Sequence, residues 1–262
     1  MSRVKWKVAG ASVAGFSHQT DGTPCQDAHA ITTSPSGWLI AAVSDGAGSA
    51  PRSAEGSRLF SDEVVAQLTT RLREIDLSEL HCPDENTVRT WIEDAVESVR
   101  TRLAEIATAS NGSLGEFHAT LLGVVAGPKA GVFFHVGDGA ACATNLDDSS
   151  RSVVSKPENG EYANETYFVT QDDWRDHLRL TSFNSQYNLI ALMSDGVTPF
   201  ALATGSVAPF PPFFEPLSKF LAEHSRRHAE QAITTLLERD AIRPITGDDK
   251  TLVWAIRTGS EA

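Results

Sequence analysis

The chain has little of what would tie it into a disulfide scaffold, a lipid bilayer or a nucleic-acid groove. Cysteine is scarce: Cys25, Cys82 and Cys142 are the three present, an odd number with no Cys-x-x-Cys spacing. That argues against a disulfide framework and a cysteine-built zinc knuckle, and suits a reducing compartment. No run approaches the roughly 20 consecutive apolar residues that a membrane-spanning helix needs. Positive charge is in deficit, with 22 Lys and Arg against 34 Asp and Glu and a net charge of −12. Such a field repels nucleic acid and anionic membrane, so neither is expected as a partner. There is no internal repeat and no low-complexity tail. The opening residues alternate (Val4, Trp6, Val8) and are broken by Gly10 and Gly15, the pattern of a first strand rather than a secretory leader. Cytoplasm is the expected location.

What is present is an ordinary globular composition, 41% hydrophobic and 21% charged over 262 residues. A chain of this length buries about three quarters of its unfolded surface and needs no staple. Alternation and short apolar runs predict strands over 4–13, 28–33, 38–44, 119–125, 131–136, 140–143, 167–170, 188–194 and 251–256. Phe60, Val64, Leu68, Leu72 and Ile75 recur at helical spacing, as do Val88, Ile92, Ala95, Val99, Leu103 and Ile106; these predict two amphipathic helices, the second over 85–108. A third helix is expected over 217–238. The polar segment 17–27 reads as turn, and 208–216, with Pro209, Pro211, Pro212 and Pro216, as non-helical. Antiparallel-looking strand groups with two helix clusters give an α+β class, two sheets packed together with helices outside.

Aspartate placement carries the chemistry. Asp45, Asp138 and Asp195 each follow an apolar strand and precede glycine, and Asp248-Asp249 stands just before the last apolar strand. A carboxylate at a strand end is costly to desolvate unless it is paired or binds a metal. Several gathered at one sheet end would form an anionic pocket suited to hard divalent ions such as Mg²⁺ or Mn²⁺. The plain alternative for any one of them is that Asp-Gly is a common strand-ending turn.

The ordered set Cys25-Gln26-Asp27-Ala28, Val43-Ser44-Asp45-Gly46-Ala47-Gly48, the segment 118–123 (HATLLG), Val136-Gly137-Asp138-Gly139-Ala140, the segment 192–197 (LMSDGV) and the segment 247–252 (GDDKTL) resembles the metal-dependent type 2C protein phosphatases. The first of these is similar to a bacterial branch of that family. The resemblance covers nearly the whole chain and implies a single catalytic domain over 1–262. It also implies an α-β-β-α sandwich of four layers, two antiparallel sheets flanked by helices, with a metal pair at one end. Carried over position by position, it makes Asp45 the carboxylate bridging two ions and Gly46 the donor of a carbonyl. Asp195 and Asp248 become ligands of the ion on the opposite side, Asp27 an anchor near the ions and Asp138 the ligand of a weaker third. Asp249 falls in the surrounding shell. The implied reaction is hydrolysis of phosphoserine and phosphothreonine in proteins by a water that the two ions make acidic, with no phosphoenzyme.

Four departures bear on that reading. Gln26 stands where many members have Glu, Gly22 where many have a phosphate-binding Arg, Ala47 where some have a His, and Pro199 where an extra aspartate would serve the third ion. Arg52 is the candidate for the missing phosphate-binding charge, against a plain exposed arginine. His18 is the candidate leaving-group acid, against a structural histidine. His118 and His135 read as hydrogen-bonded core histidines, and Cys25 as an inert thiol. The alternatives to a protein phosphatase are a pseudophosphatase, the same fold kept as a regulatory or binding module, and a metallohydrolase of a small phosphorylated metabolite. The expected partners are a phosphorylated protein and a cognate Ser/Thr kinase, with the chain itself a monomer.

Overall fold

The computed structural model describes residues 4–74, 84–146, 148, 151–158, 166–204 and 207–259. Ile75 and Cys82, and the middle of the segment 157–174, lie outside the described residues. In chain order the elements are β1 (Lys5–Val13), α1 (Phe16–Asp21), β2 (Ala28–Thr33), β3 (Leu39–Ser44), α2 (Ser53–Glu74), α3 (Glu85–Ala109), β4 (Leu121–Ala126), β5 (Ala130–Val136) and β6 (Ala140–Thr144). There follow β7 (Ser152–Ser155), β8 (Arg179–Asn184), β9 (Leu189–Met193), α4 (Thr198–Ala201), α5 (Pro211–Glu223), α6 (Arg226–Leu237) and β10 (Lys250–Thr258).

The strands form two five-stranded sheets, ordered β1-β10-β9-β6-β7 and β2-β3-β4-β5-β8. Every pairing is antiparallel. Three apolar clusters fill the three gaps of a four-layer sandwich. Leu39, Ala41, Leu122 and Phe133 from one sheet meet Ala141, Ile190, Leu192 and Val253 from the other. Phe60, Val64, Leu68, Ile92, Val99 and Leu103 of α2 and α3 cover the outer face of the β2–β8 sheet. Phe214, Leu217, Leu221, Ile233 and Leu237 of α5 and α6 cover the other sheet. This is why β3, β4, β6 and β9 are buried along their whole length and read as continuous apolar runs: both faces are packed, so neither can be polar.

α3 starts where Asp84 accepts the Thr87 N–H at 3.0 Å, an N-cap worth about 1 kcal/mol. It ends as Asn111 turns left-handed at φ 57°.

Four sequence expectations are corrected. Residues 208–216 are helical from Pro211 onward, because Pro211 and Pro212 occupy the first turn, where an N–H has no helical partner to lose. Pro216 lies inside α5 and forfeits one bond, a cost near 3 kcal/mol in a helix interior. Burial of Phe214, Leu217 and Leu221 at about 1.5–3 kcal/mol each outweighs it. The single helix expected over 217–238 is two, parted at His224, whose backbone is extended. Segment 167–170 is a turn with Gln171 N bonded to Phe168 O at 3.0 Å, not a strand. Part of 17–27 is the short helix α1.

Candidate metal centre

The strand register builds the site. Ala28 pairs with Ser44, which sets Asp27, just before β2, beside Asp45, just after β3. In the other sheet Ala140 and Leu252 both pair with Met193, which sets the residues before β6, after β9 and before β10 side by side. Asp138 lies in the crossing from β5 in one sheet to β6 in the other. The acidic residues thus come from the ends of strands in both sheets, at one end of the sandwich.

Oxygen atoms of Asp45, Asp138 and Asp195 all lie within 4.8 Å of one another. Asp45 also contacts Asp27. Burial pushes Asp27 up to about 7, against the pull of the Ser194 hydroxyl and with the Asp249 charge adding to the rise. Burial pushes Asp195 up to about 6, with Asp138 adding. Asp45 is raised well above the ordinary carboxylate range by burial and by the charges of Asp27, Asp195 and Asp138. Burial raises Asp138 as well, opposed by the Thr166 hydroxyl. The Lys250 ammonium, which donates to Asp248 O at 3.1 Å, interacts with Asp27, Asp248 and Asp249, but among the described residues no Lys or Arg forms an ion pair with Asp45, Asp138 or Asp195. Asp27 Oδ1, Asp195 Oδ1 and Gln26 Oε1 are moreover buried without a hydrogen-bond donor. Buried acceptors facing one another without donors are unfavourable unless a cation lies among them. A donor set made only of hard oxygens fits Mg²⁺ or Mn²⁺.

The glycines after the aspartates act by close approach. A Cβ on Gly196 would stand 1.9 Å from Asp249 O, and one on Gly46 would stand 2.6 Å from Gln26 O. Neither takes a left-handed backbone, so the tight turn expected from Asp-Gly is not their reason; room for a neighbouring strand is.

Other expected residues fall as follows. Asp248 is exposed and outside the group of three, yet its charge is felt by both Asp138 and Asp195. His18 donates or accepts through Nδ1 at 2.9 Å to Asp249 Oδ1 and keeps 20% of its side chain exposed. Arg52 is bonded to Glu55 at 2.7 Å and to Ser110 at 3.1 Å, with its guanidinium 4.2 Å from the Phe117 ring centre. Gly22 is the C-cap of α1. His135 is buried and bonded to Ser155, and His118 to Thr170. Burial drives the Cys25 thiol far up, consistent with an inert thiol.

Sequence reasoning left three contributors unnamed or understated. Asp249, 2% exposed, accepts from Gly15 N at 2.6 Å and Gln26 N at 2.6 Å as well as facing His18. It thereby pins the segment that carries His18 and Asp27 to the entry of β10. Ser194 donates to Asp27 Oδ2 at 2.7 Å and accepts from Thr251 N at 2.9 Å, joining the two sheets through the site. Thr120 accepts from Asp45 N at 3.0 Å and its own N–H bonds Asp45 O at 2.8 Å. The signal for Ser194 was in the chain: Ser-Asp-Gly occurs at both 44–46 and 194–196.

A four-layer sandwich with an all-carboxylate centre where its two sheets meet defines a class of metal-dependent phosphatase folds. A family model for Protein phosphatase 2C matches residues 14–238, most of the chain, and the protein belongs to that family. It is 28% identical over 263 residues to Serine/threonine-protein phosphatase 3 of Escherichia coli (strain K12), an alignment covering 97% of this chain and 99% of that protein. Its fold is similar to that of the serine/threonine phosphatase Stp1 from Staphylococcus aureus, with TM-score 0.63, 14% identity, and 100% and 96% of the two chains covered. It is also similar to the catalytic domain of the serine/threonine protein phosphatase PstP in complex with two manganese ions, with TM-score 0.61, 15% identity and coverage of 97% and 99%.

Proposed function

We propose that the protein hydrolyses phosphoserine and phosphothreonine in other proteins, with Mn²⁺ or Mg²⁺ held by Asp45, Asp138, Asp195 and Asp248. The observation that carries this reading is the convergence of three half-buried carboxylates within 4.8 Å with unpartnered oxygens around them. When bound there, two divalent ions supply Lewis-acid charge to the phosphoryl oxygens and a water acidic near neutral pH. The protein's own residues do the rest. Asp45, flanked by Asp27 and Asp195, would hold the ions together with the Gly46 carbonyl. Asp27, oriented by Ser194, accepts a hydrogen bond from the attacking water. His18, held at Nδ1 by Asp249, presents Nε2 to protonate the leaving oxygen. Arg52 binds the substrate phosphate; its half-exposed pair with Glu55 is worth no more than about 1 kcal/mol, a small barrier to exchange for a doubly charged group. Asp138 serves a weaker third ion.

A single catalytic domain over 1–262, a monomeric state, a cognate Ser/Thr kinase as partner and a cytoplasmic location belong to the same proposal. No helix among the described residues is long and apolar enough to cross a membrane. The test is hydrolysis of para-nitrophenyl phosphate and of a phosphothreonine peptide with and without Mn²⁺. Asp45→Asn and Asp195→Asn should abolish both reactions while leaving the circular dichroism unchanged. Full activity in either variant, or in excess chelator, refutes the reading. A wild-type protein that takes up no Mn²⁺ in a calorimetric titration is instead a binding module.

A further inference from the structure

This inference rests on the proposed function, because it concerns the same acidic centre. Among the described residues, Asp138 is the one member of the close carboxylate group reached by a hydroxyl from outside the strands: Thr166 Oγ1 donates to its Oδ2. Thr166 makes an isolated β-bridge, and the residues after it, 167–178, run irregularly to β8 outside both sheet ladders. What fixes the segment is a buried arginine. Arg100 of α3 points its Nη1 at Val169 O, 2.7 Å away, and at Gln171 O, 2.8 Å away, while Val169 N bonds Ala119 O at 3.0 Å. Trp174, fully buried, closes the segment onto the α2–α3 core. A guanidinium buried against main-chain carbonyls, with its exposed edge alone facing Asp172 and Glu97, is costly to desolvate. Its two carbonyl partners define one position of the chain.

We propose that Thr166 is a positioning residue for Asp138, and that Arg100, by fixing the segment, sets where Thr166 stands. The hydroxyl occupies one carboxylate oxygen and so fixes the plane in which the other meets Asp45 and Asp195. Partners of this kind, one bond removed from an ion, typically change metal affinity 10–100-fold when removed. The affinity of the centre for its cations is thereby tied to a segment that lies outside both sheets.

The experiment is calorimetric titration of Mn²⁺ into wild type, Thr166→Val, Thr166→Ser, Asp138→Asn and the double variant Thr166→Val/Asp138→Asn, with melting in excess EDTA alongside. Thr166→Val is expected to weaken the Mn²⁺ step that Asp138→Asn also weakens, by about tenfold, with a modest fall in the EDTA melting point, because the hydroxyl also steadies the ionised Asp138. Thr166→Ser is expected to restore it, and the double variant to bind no worse than Asp138→Asn alone. Wild-type affinity in Thr166→Val, or a further tenfold loss in the double variant, overturns the inference while leaving the proposed function intact. Absence of any Mn²⁺ binding by wild type overturns both. Arg100→Lys, which keeps the charge but shortens its reach, is expected to reproduce a part of the Thr166→Val loss.

Discussion

Asp45→Asn is expected to end catalysis and yet make the metal-free protein more stable. Asp45 stands among Asp27, Asp138 and Asp195; burial raises all four, and the charges of Asp27, Asp195 and Asp138 add to the rise at Asp45. An acid moved from 3.8 to about 6, as Asp195 is, costs the ionised fold about 3 kcal/mol at pH 8, at about 1.4 kcal/mol per pH unit. An amide of the same shape removes the central charge and offers N–H donors to the neighbours. Asp45 is displaced in the same direction, by burial first and then by its neighbours' charges, and a gain on the scale set by Asp195, about 3 kcal/mol, corresponds to a melting point higher by roughly 6–12 °C in a chain of this size. The sign follows from proton linkage. Groups raised in the fold bind protons more tightly folded than unfolded, so metal-free stability is fully present below about pH 4. It is lost as the pH rises through 6 to 7. The advantage of the variant is therefore largest at pH 8 and shrinks towards pH 5. In Mn²⁺ at a hundred times its Kd the wild type gains about 2.7 kcal/mol per site and the order closes or reverses. The assay is differential scanning fluorimetry in excess EDTA at pH 5 and 8, repeated in Mn²⁺. A variant that melts with or below wild type at pH 8 in EDTA would show that the carboxylates are not crowded together without solvent relief.

Three further outcomes are expected. Gly196→Ala drives a Cβ into Asp249 O, a backbone atom that cannot step aside cheaply, and should cost about 2 kcal/mol or more in urea unfolding together with Mn²⁺ affinity. Asp249→Ala strips the acceptor from Gly15 N, Gln26 N and His18 and should cost about 3 kcal/mol in the same assay. Pro216→Ala, at an exposed site inside α5, restores a main-chain donor and should raise stability by up to about 3 kcal/mol, read as a higher urea midpoint at constant slope.

The inner layers were legible in the chain because they are packed on both faces. β3, β9 and β10 are unbroken apolar runs, and α2 and α3 repeat at helical spacing. β7 and β8 were missed, and both are edge strands; one partner and one covered face leave polar residues such as Arg179, Thr181 and Ser182 on the strand, which erases the pattern. The carboxylates were legible because strand ends terminate so abruptly in Asp-Gly. What assembles them was not. Asp249 holds main-chain N–H groups 234 and 223 residues away, and a main-chain donor leaves no mark on residue type. Ser194 and Thr166 act through single hydroxyls, whose partners only the register reveals.

β10 pairs with β1 along nine residues, from Lys5 opposite Thr258 to Val13 opposite Lys250. The last of the described strands in chain order thus closes against the first, and it brings Asp248 and Asp249 with it. Until it docks, the segment bearing His18 lacks its Asp249 anchor and β9 has β6 as its partner on one side alone, although Asp45, Asp138 and Asp195 all precede this strand. Long-range closure of this kind forms slowly, so docking of β10 and the ordering of Asp248 and Asp249 are expected late in folding.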